Sequence, residues 1–272
     1  MATSECAFYL SEQAVCSRPE TIKKVAEVYG VTESNPKQIV EKVKAKVHCD
    51  SESCILNRPE VVKTLGEQVV EREKEERFKP YGPGDSTEWF SNFNIDDVMA
   101  QWAKKWPHFY NIEFQMIDFE EYKSALSKIN FHELRAHKYK SAGVVINTDS
   151  YRGGGKHWFA LYFDFSGPVS TVEYFNSSGR MPLPEIQDLF LKIKNQFIEG
   201  EKIEAEDVDK KVKSIIVSRS PYQEDDYSCG AWSLFYIWSR LNGKSYTTFD
   251  KNMQLNDEQM IKFRQFLFRK HE

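Results

Sequence analysis

The pattern of apolar and polar residues differs between the first 80 residues and the rest of the 272-residue chain. Three early segments begin with proline and continue with Val, Ile and Leu at helical spacing: RPETIKKVAEVYG, NPKQIVEKVKAKV and RPEVVKTLGEQVVEREKEERF. Proline suits the first turn of a helix because its missing N–H has no intrahelical partner there. We predict a small helical domain, in which Gly30 stops the first helix and EREKEERFK is a solvated helix face.

The segment KPYGPGDST, residues 79–87, gathers two prolines and two glycines and predicts a domain boundary. After it, NIDDVMAQWAKKW and LPEIQDLFLKIKNQFI have the spacing of amphipathic helices. The runs AGVVINT, HWFALYFD, VSTVEYF and KSIIVS are β-branched or aromatic and of strand length. We therefore predict a helical arm at 1–80 and an α+β core at 81–272.

The segment CGAWSLFYIWSRLNG is apolar nearly all round until Arg240 and ends in Asn-Gly, which predicts a buried helix that begins at Cys229. The N-terminus of a helix carries unpaired N–H groups and partial positive charge, which stabilise a thiolate and lower its pKa. A cysteine before an apolar helix also has a purely structural explanation. Whether Cys229 is a nucleophile therefore depends on its partners.

Three other residues complete a set for acyl transfer. His157 begins a predicted strand directly after the glycine run RGGGK, for which we predict a flexible connection, and Asn176 ends the next strand. Paired strands would bring the imidazole and the amide together. A thiolate attacks a carbonyl, an imidazole moves the proton and an asparagine oxygen orients the ring. Gln223, six residues before Cys229, can donate to the oxyanion beside the Cys229 backbone N–H.

The order of these residues resembles the cysteine proteases of the SUMO-protease and adenovirus-protease superfamily. Cellular members carry tryptophan after the histidine, as Trp158 does here, but usually aspartate in place of Asn176 and aspartate in place of Ser228. The segments CDSESC, NFNID, GKHW and EYFNSSG resemble a viral, polyprotein-processing branch. The resemblance implies a papain-related core with a mixed sheet packed on helices, a central helix that begins at the catalytic cysteine, and a helical N-terminal arm.

The resemblance makes His157 the general base, Asn176 its orienting partner, Cys229 the nucleophile and Gln223 an oxyanion donor. It implies cleavage of viral structural polyproteins after Gly-Gly during virion maturation. The implied locations are the virus factory in the host cytoplasm and the virion. An indole at Trp158 would narrow the substrate groove so that only glycine passes. The alternatives are a deconjugase of SUMO or ubiquitin-like proteins, an inactive binding scaffold and a transacylase.

Composition limits the other classes of function. The formal net charge is -4, with 37 basic and 41 acidic residues, which gives no reason to expect nucleic-acid binding. We find no secretory leader and no apolar run long enough to span a membrane. Five cysteines are an odd number, so at least one is unpaired in any intramolecular scheme, and a reducing compartment is expected.

Two further motifs are not assigned a site. RGGGKH lacks the glycine spacing and the Ser/Thr of a phosphate-binding loop. HCDSESC offers His48, Cys49 and Cys54, but no second ligand pair of zinc-site spacing follows. The proposed chemistry requires no metal and no cofactor.

Overall fold

The computed structural model describes residues 5–217, 220–249, 253 and 255–269. They form two compact units, residues 5–85 with 265–269, and residues 86–264. The division thus falls at residue 85 rather than 80, and residues 265–269 group with the first unit rather than with the predicted core at 81–272. Residues 1–4 of the predicted arm and 270–272 of the predicted core lie outside the described residues.

The first unit is helical, as the proline-led segments predict. After a 3-10 turn at Phe8–Leu10, its helices are α1 Pro19–Tyr29, α2 Pro36–Val47, α3 Glu52–Leu56, α4 Pro59–Leu65 and α5 Glu67–Arg77. Gly30 ends α1 with φ 62°. The third predicted helix is two helices, because Gly66 has φ 87° and ψ 139° and interrupts it. Only glycine adopts this conformation without strain.

The run EREKEERFK is not wholly a solvated face. Glu73 and Lys74 are buried, with 2% and 6% of their surface exposed. Glu73 accepts hydrogen bonds from the backbone and side chain of Arg18, and Lys74 donates to Asn57 Oδ1 at 2.8 Å. This part of α5 therefore packs its charged residues inward, each with a partner.

Four of the five cysteines form disulfides in the first unit. Cys6 pairs with Cys16 and Cys49 with Cys54, at Cα separations of 4.9 and 5.7 Å, both within the range a disulfide bridges. Cys229 is the one free cysteine among the described residues. The sequence analysis expected at least one unpaired thiol and a reducing compartment, so the two disulfides in the arm differ from the reduced cysteines that such a compartment implies.

The second unit mixes helices with one six-stranded sheet. Its elements are α6 Asn92–Lys105, β1 Phe109–Asn111, β2 Gln115–Met116, α7 Ala125–Lys128, α8 Phe131–Ala136, β3 Ser141–Asn147, β4 Trp158–Asp164, β5 Ser170–Phe175, α9 Pro184–Glu201, β6 Val212–Ile216, α10 Cys229–Leu241 and α11 Asp257–Leu267, with 3-10 turns at Ala205–Lys210 and Tyr246–Thr248. The last three residues of α11 belong to the first unit.

The sheet order is β1-β3-β4-β5-β6, and β2 also pairs with β3. The central pairs β3–β4 and β4–β5 are antiparallel, whereas β1 and β2 run parallel to β3, and β6 runs parallel to β5. Apolar side chains from the strands, α8 and α9 form one buried cluster that includes Phe131, Phe163 and Phe197. The predicted α+β class with a mixed sheet is confirmed.

All four predicted strands are present as β3, β4, β5 and β6, within one or two residues of the predicted ends. Ser218, the last residue of the predicted KSIIVS strand, lies outside the described residues. The predicted helices appear as α6, α9 and α10. None of the helices in the described ranges combines the length and apolarity of a membrane-crossing span.

Candidate active site

Helix α10 begins at Cys229, and its first turn is buried. Cys229 is 2% exposed, and the packing allows no side chain on the next residue, because a Cβ on Gly230 would lie 2.9 Å from the Phe90 ring. The backbone N–H groups of Trp158, Gly230 and Cys229 itself act on the sulfur and lower the pKa of the thiol. Trp158 is the first residue of the strand that follows His157.

The antiparallel pair β4–β5 brings His157 and Asn176 together. His157 Nε2 lies 2.8 Å from Asn176 Oδ1. An amide oxygen only accepts, so the ring proton is on Nε2 and Nδ1 is left with its lone pair. Asn176 Oδ1 also accepts from the backbone N–H of Ser178 at 3.0 Å and from its hydroxyl at 2.8 Å.

The glycine loop before His157 is tied down, contrary to the flexible connection predicted from sequence. Asn147 Oδ1 accepts from the N–H groups of Asp149 and Lys156, both at 2.9 Å. The Asp149 carboxylate accepts from the Gly155 N–H at 3.1 Å and from Lys156 Nζ at 3.0 Å. The Lys156 ammonium holds the pKa of Asp149 below its usual range. The loop therefore fixes the position at which His157 enters β4.

Gln223 is held at both ends of its amide. Its Oε1 accepts from the Ser177 hydroxyl at 2.7 Å, and its Nε2 donates to the Asp225 carbonyl oxygen at 2.7 Å and to Asp225 Oδ1 at 3.2 Å. The N–H groups of Tyr222 and Gln223 both bond the Ser177 carbonyl oxygen. Gln223 is thus attached to the loop that follows Asn176, and its donation to an oxyanion stays a prediction.

Asp225 organises the turn before Cys229, a role that the sequence analysis did not identify. Asp225 Oδ1 accepts from the N–H groups of Tyr227 and Ser228, and Oδ2 accepts from the Ser228 hydroxyl at 2.5 Å. The spacing of Asp225 and Ser228 is that of an aspartate-led turn, which was the available signal. Ser228 is fully buried and bonds Asp225 rather than capping α10.

A second carboxylate, that of Asp257 at the start of α11, also accepts hydrogen bonds from the loop before Cys229. Its Oδ2 accepts from the backbone N–H groups of Glu224 and Asp225, each at 2.8 Å, and its Oδ1 accepts from Trp232 Nε1 at 2.8 Å. Asp257 therefore joins the loop before Cys229 to the first turns of α10. Nothing in the local sequence pattern indicated this contact.

Trp158 is mostly enclosed. Its indole N–H donates to the Phe90 carbonyl oxygen at 3.0 Å, its ring meets Phe114 edge-on, and 6% of its surface is exposed. Phe114 is itself anchored, because its N–H donates to Asp96 Oδ1 at 2.7 Å. Burial raises the pKa of Asp96 to about 6. Little of Trp158 is available to a substrate, and its groove-narrowing role stays a prediction.

Burial dominates the electrostatics of Cys229 and His157. It raises the pKa of the Cys229 thiol, and Asp225 raises it further, while the three backbone N–H groups lower it without reversing the direction. Burial likewise lowers the pKa of His157, and the bond to Asn176 opposes this. The expectation that the helix N-terminus alone would favour the thiolate is wrong for this site, because desolvation outweighs it. The resting pair is a neutral thiol and a neutral imidazole.

Comparison with known proteins shows the family of the chain. Residues 136–272 match the family described as "Ulp1 protease family, C-terminal catalytic domain". The chain is also 33% identical to a "SUMO-1 cysteine protease S273R" of African swine fever virus, over 98% of this chain and 95% of that protein. It belongs to the Ulp1 protease family.

Structural comparison gives the same result for this Ulp1-family protease. The crystal structure of the African swine fever virus pS273R protease superposes with a TM-score of 0.82 and 30% identity, covering 98% of this chain and 96% of that one. A putative thiol protease, R355, of Acanthamoeba polyphaga mimivirus is 25% identical over 64% of this chain and 55% of its own length. The chain is a cysteine protease of viral SUMO-protease-like type.

Proposed function

We propose that this Ulp1-family protease cleaves viral structural polyproteins after Gly-Gly, with Cys229 as nucleophile, His157 as general base, Asn176 as its orienting partner and Gln223 as oxyanion donor. The observation that carries the roles is the bond from His157 Nε2 to Asn176 Oδ1, which leaves Nδ1 as the basic nitrogen of the ring. The backbone N–H of Trp158, the residue after His157, lowers the pKa of Cys229, which supports the nearness of the nucleophile to this ring.

The reaction follows from neutral starting groups. The Cys229 sulfur attacks the carbonyl carbon while its proton passes to His157 Nδ1, and the tetrahedral oxyanion accepts from the Cys229 N–H and from Gln223 Nε2. The imidazolium returns the proton to the leaving amine, and a thioester remains. Water, deprotonated by His157, then releases the acid and the free thiol. For Gln223 to donate to the oxyanion, it must share or release its contacts with Asp225.

Close packing around Cys229 supports a preference for glycine. The indole of Trp158 donates to the Phe90 carbonyl oxygen, and the Phe90 ring packs against Gly230 in the first turn of α10. Fixed aromatic walls cannot move aside cheaply, because interiors packed to crystal density resist even small added groups. A substrate residue without a side chain passes such walls more readily than alanine does.

Cleavage-site mapping tests the proposal. Recombinant polyprotein fragments that contain Gly-Gly-Xaa sites are incubated with the protease, and the products are sequenced from their N-termini. We expect cuts after the second glycine, loss of cutting in Cys229→Ser, and at least tenfold slower cutting when either glycine is replaced by alanine. Equal cutting of Gly-Gly and Ala-Ala substrates would refute the specificity, and full activity of Cys229→Ser would refute the nucleophile.

A second candidate is removal of SUMO or ubiquitin-like modifiers, since the viral relative carries the name "SUMO-1 cysteine protease". A panel of fluorogenic SUMO and ubiquitin substrates, measured beside a Gly-Gly polyprotein peptide, separates the two. Higher kcat/KM on an intact modifier than on the peptide would favour the deconjugase. Action in the host cytoplasm and virion belongs to the polyprotein proposal, and labelling of infected cells tests it.

A further inference from the structure

The side-chain amide of Asn176 can present either of two chemically opposite ends to His157. If the oxygen faces the ring, the ring proton stays on Nε2 and Nδ1 is a base. If the NH₂ group faces the ring, Nε2 must accept, the proton moves to Nδ1, and the ring can no longer take the proton of Cys229. An asparagine therefore needs an orienting device that the symmetric carboxylate of an aspartate does not.

The oxygen end of Asn176 is specified by a donor that has no alternative. The backbone N–H of Ser178 points to Oδ1 at 3.0 Å, and the Ser178 hydroxyl does the same at 2.8 Å. A backbone N–H cannot accept a hydrogen bond, so an NH₂ group in this place would be repelled. This contact uses the turn immediately after β5.

The nitrogen end is specified by Tyr174. Asn176 Nδ2 donates to the Tyr174 hydroxyl oxygen at 2.9 Å. That hydroxyl directs its own proton to the Arg180 carbonyl oxygen at 3.2 Å, so it meets Asn176 as an acceptor. Tyr174 and Asn176 are two residues apart, on the same face of the β5 strand and its extension. The Tyr174 ring is 2% exposed and packs on Phe159 with centroids 5.2 Å apart, which fixes the hydroxyl.

We infer that Tyr174 is a positioning residue, which holds the Asn176 amide with its oxygen toward His157 and so keeps the basic lone pair of His157 on Nδ1. The inference rests on the proposed roles of His157 and Asn176 but not on the Gly-Gly substrate. It also explains how a triad with asparagine, in place of the aspartate of cellular members, keeps the His157 imidazole in one tautomer.

A double-mutant cycle tests the inference, with Tyr174→Phe made in the wild type and in Asn176→Asp. In the wild-type background, Tyr174→Phe should lower kcat about fivefold, the loss that corresponds to one ordinary hydrogen bond, with KM changed less than twofold. In the Asn176→Asp background both oxygens accept, so the same change should cost less than twofold. Tyr162→Phe, which removes the hydroxyl of another buried tyrosine, on β4, is the matched control and should leave kcat unchanged.

Alkylation of Cys229 by iodoacetamide at pH 7 gives a readout that needs no substrate. Tyr174→Phe should slow it by the same factor in the wild-type background and not in the Asn176→Asp background, while thermal unfolding should shift equally in both. If Cys229 of the wild type is alkylated but the protein cuts no Gly-Gly peptide, the substrate proposal fails. The alkylation rates of the four proteins then still test the inference about Tyr174. Equal losses of alkylation rate in both backgrounds, or no loss in the wild-type background, would overturn the inference.

Discussion

At the scale of single residues, burial and not the helix field decides the resting charge of Cys229 and His157. Burial raises the pKa of the thiol and lowers that of the imidazole, so both groups are neutral near pH 7. In the proposed mechanism the proton therefore moves during attack on the substrate, with His157 as a true general base. Backbone N–H groups at the start of α10 then act mainly on the thiolate and the oxyanion as they form.

We expect the rate of Cys229 alkylation by iodoacetamide to keep rising up to and beyond pH 9, the ordinary thiol value. A preformed thiolate–imidazolium pair would instead give a plateau from acid pH. The acid limb of kcat/KM should lie below pH 6.5, because His157 loses its proton more easily than an ordinary histidine. His157→Ala should remove that limb. An alkylation plateau that begins below pH 7 would contradict the neutral resting pair.

The negative charge of Asp225 acts on Cys229, since its carboxylate raises the pKa of the thiol. Asp225→Asn keeps Oδ1 as acceptor for the Tyr227 and Ser228 N–H groups but removes the negative charge. Alkylation of Cys229 at pH 8 should become faster, by about threefold, because removal of the negative charge lowers the pKa of the thiol. Asp226→Asn, an exposed neighbour, is the control. Slower alkylation in Asp225→Asn at unchanged stability would contradict this.

At the scale of elements, a buried ion pair joins α10 to the sheet. Glu173 on β5 is fully buried and accepts from Arg240 Nε at 2.7 Å and from the Tyr236 hydroxyl at 2.6 Å, both on α10. Arg240 also donates to Asp164 on β4 at 2.8 Å. Asn176 directly follows β5 and Cys229 begins α10, so this ion pair helps to hold the two elements that carry the proposed catalytic residues in register.

Removing one member of this ion pair should lower the free energy of unfolding much more than removing both. Arg240→Met leaves the Glu173 carboxylate buried without its cation and should lower the free energy of unfolding by about 3 kcal/mol, whereas Glu173→Leu with Arg240→Met should cost clearly less. Urea unfolding of the wild type, of Arg240→Met and of the double variant measures these free energies. The exposed pair of Lys210 and Asp207 provides the control, because Lys210→Met should change stability by under about 0.5 kcal/mol. Equal losses in the single and double variants would contradict the buried-charge explanation.

The elements that the sequence predicted are those with a long, regular apolar pattern. Strands β3 to β6 and helices α6, α9 and α10 each present enough periodic residues to be recognised. Strands β1 and β2 have three and two residues and carry no detectable period, since their pairing with β3 comes from tertiary packing. The break at Gly66 was missed because a single glycine inside a helical pattern does not reveal its φ.

At the scale of the whole molecule, the α+β class could be predicted from the helix- and strand-length apolar patterns. The protease family could be predicted because His157, Asn176, Gln223 and Cys229 occur in a fixed order. What the order could not provide is the network that supports them. The contacts of Tyr174, Asp225 and Asp257 depend on where loops return in space, and the direction of the Cys229 pKa shift depends on burial, which no local pattern specifies.

The arm and the active site place opposite demands on redox conditions. Cys229 must remain a free thiol, whereas Cys6–Cys16 and Cys49–Cys54 require oxidation. Closing loops with sequence separations of 10 and 5 should stabilise the first unit by about 2–3 kcal/mol per bond, through loss of unfolded-state freedom. Mild reduction is thus expected to protect the nucleophile while weakening the arm.

We therefore predict that denatured, unreduced protein accepts one maleimide label and reduced protein five. Strong reductant should lower the thermal stability of wild type and Cys229→Ser equally, because both retain the arm disulfides, and should leave a variant with all four arm cysteines replaced by serine unchanged. Cleavage of a short peptide should survive the reductant, since Cys229 and its partners lie in residues 86–264. Five labels before reduction would show that the arm cysteines are unpaired, and only the helical packing would then hold the arm.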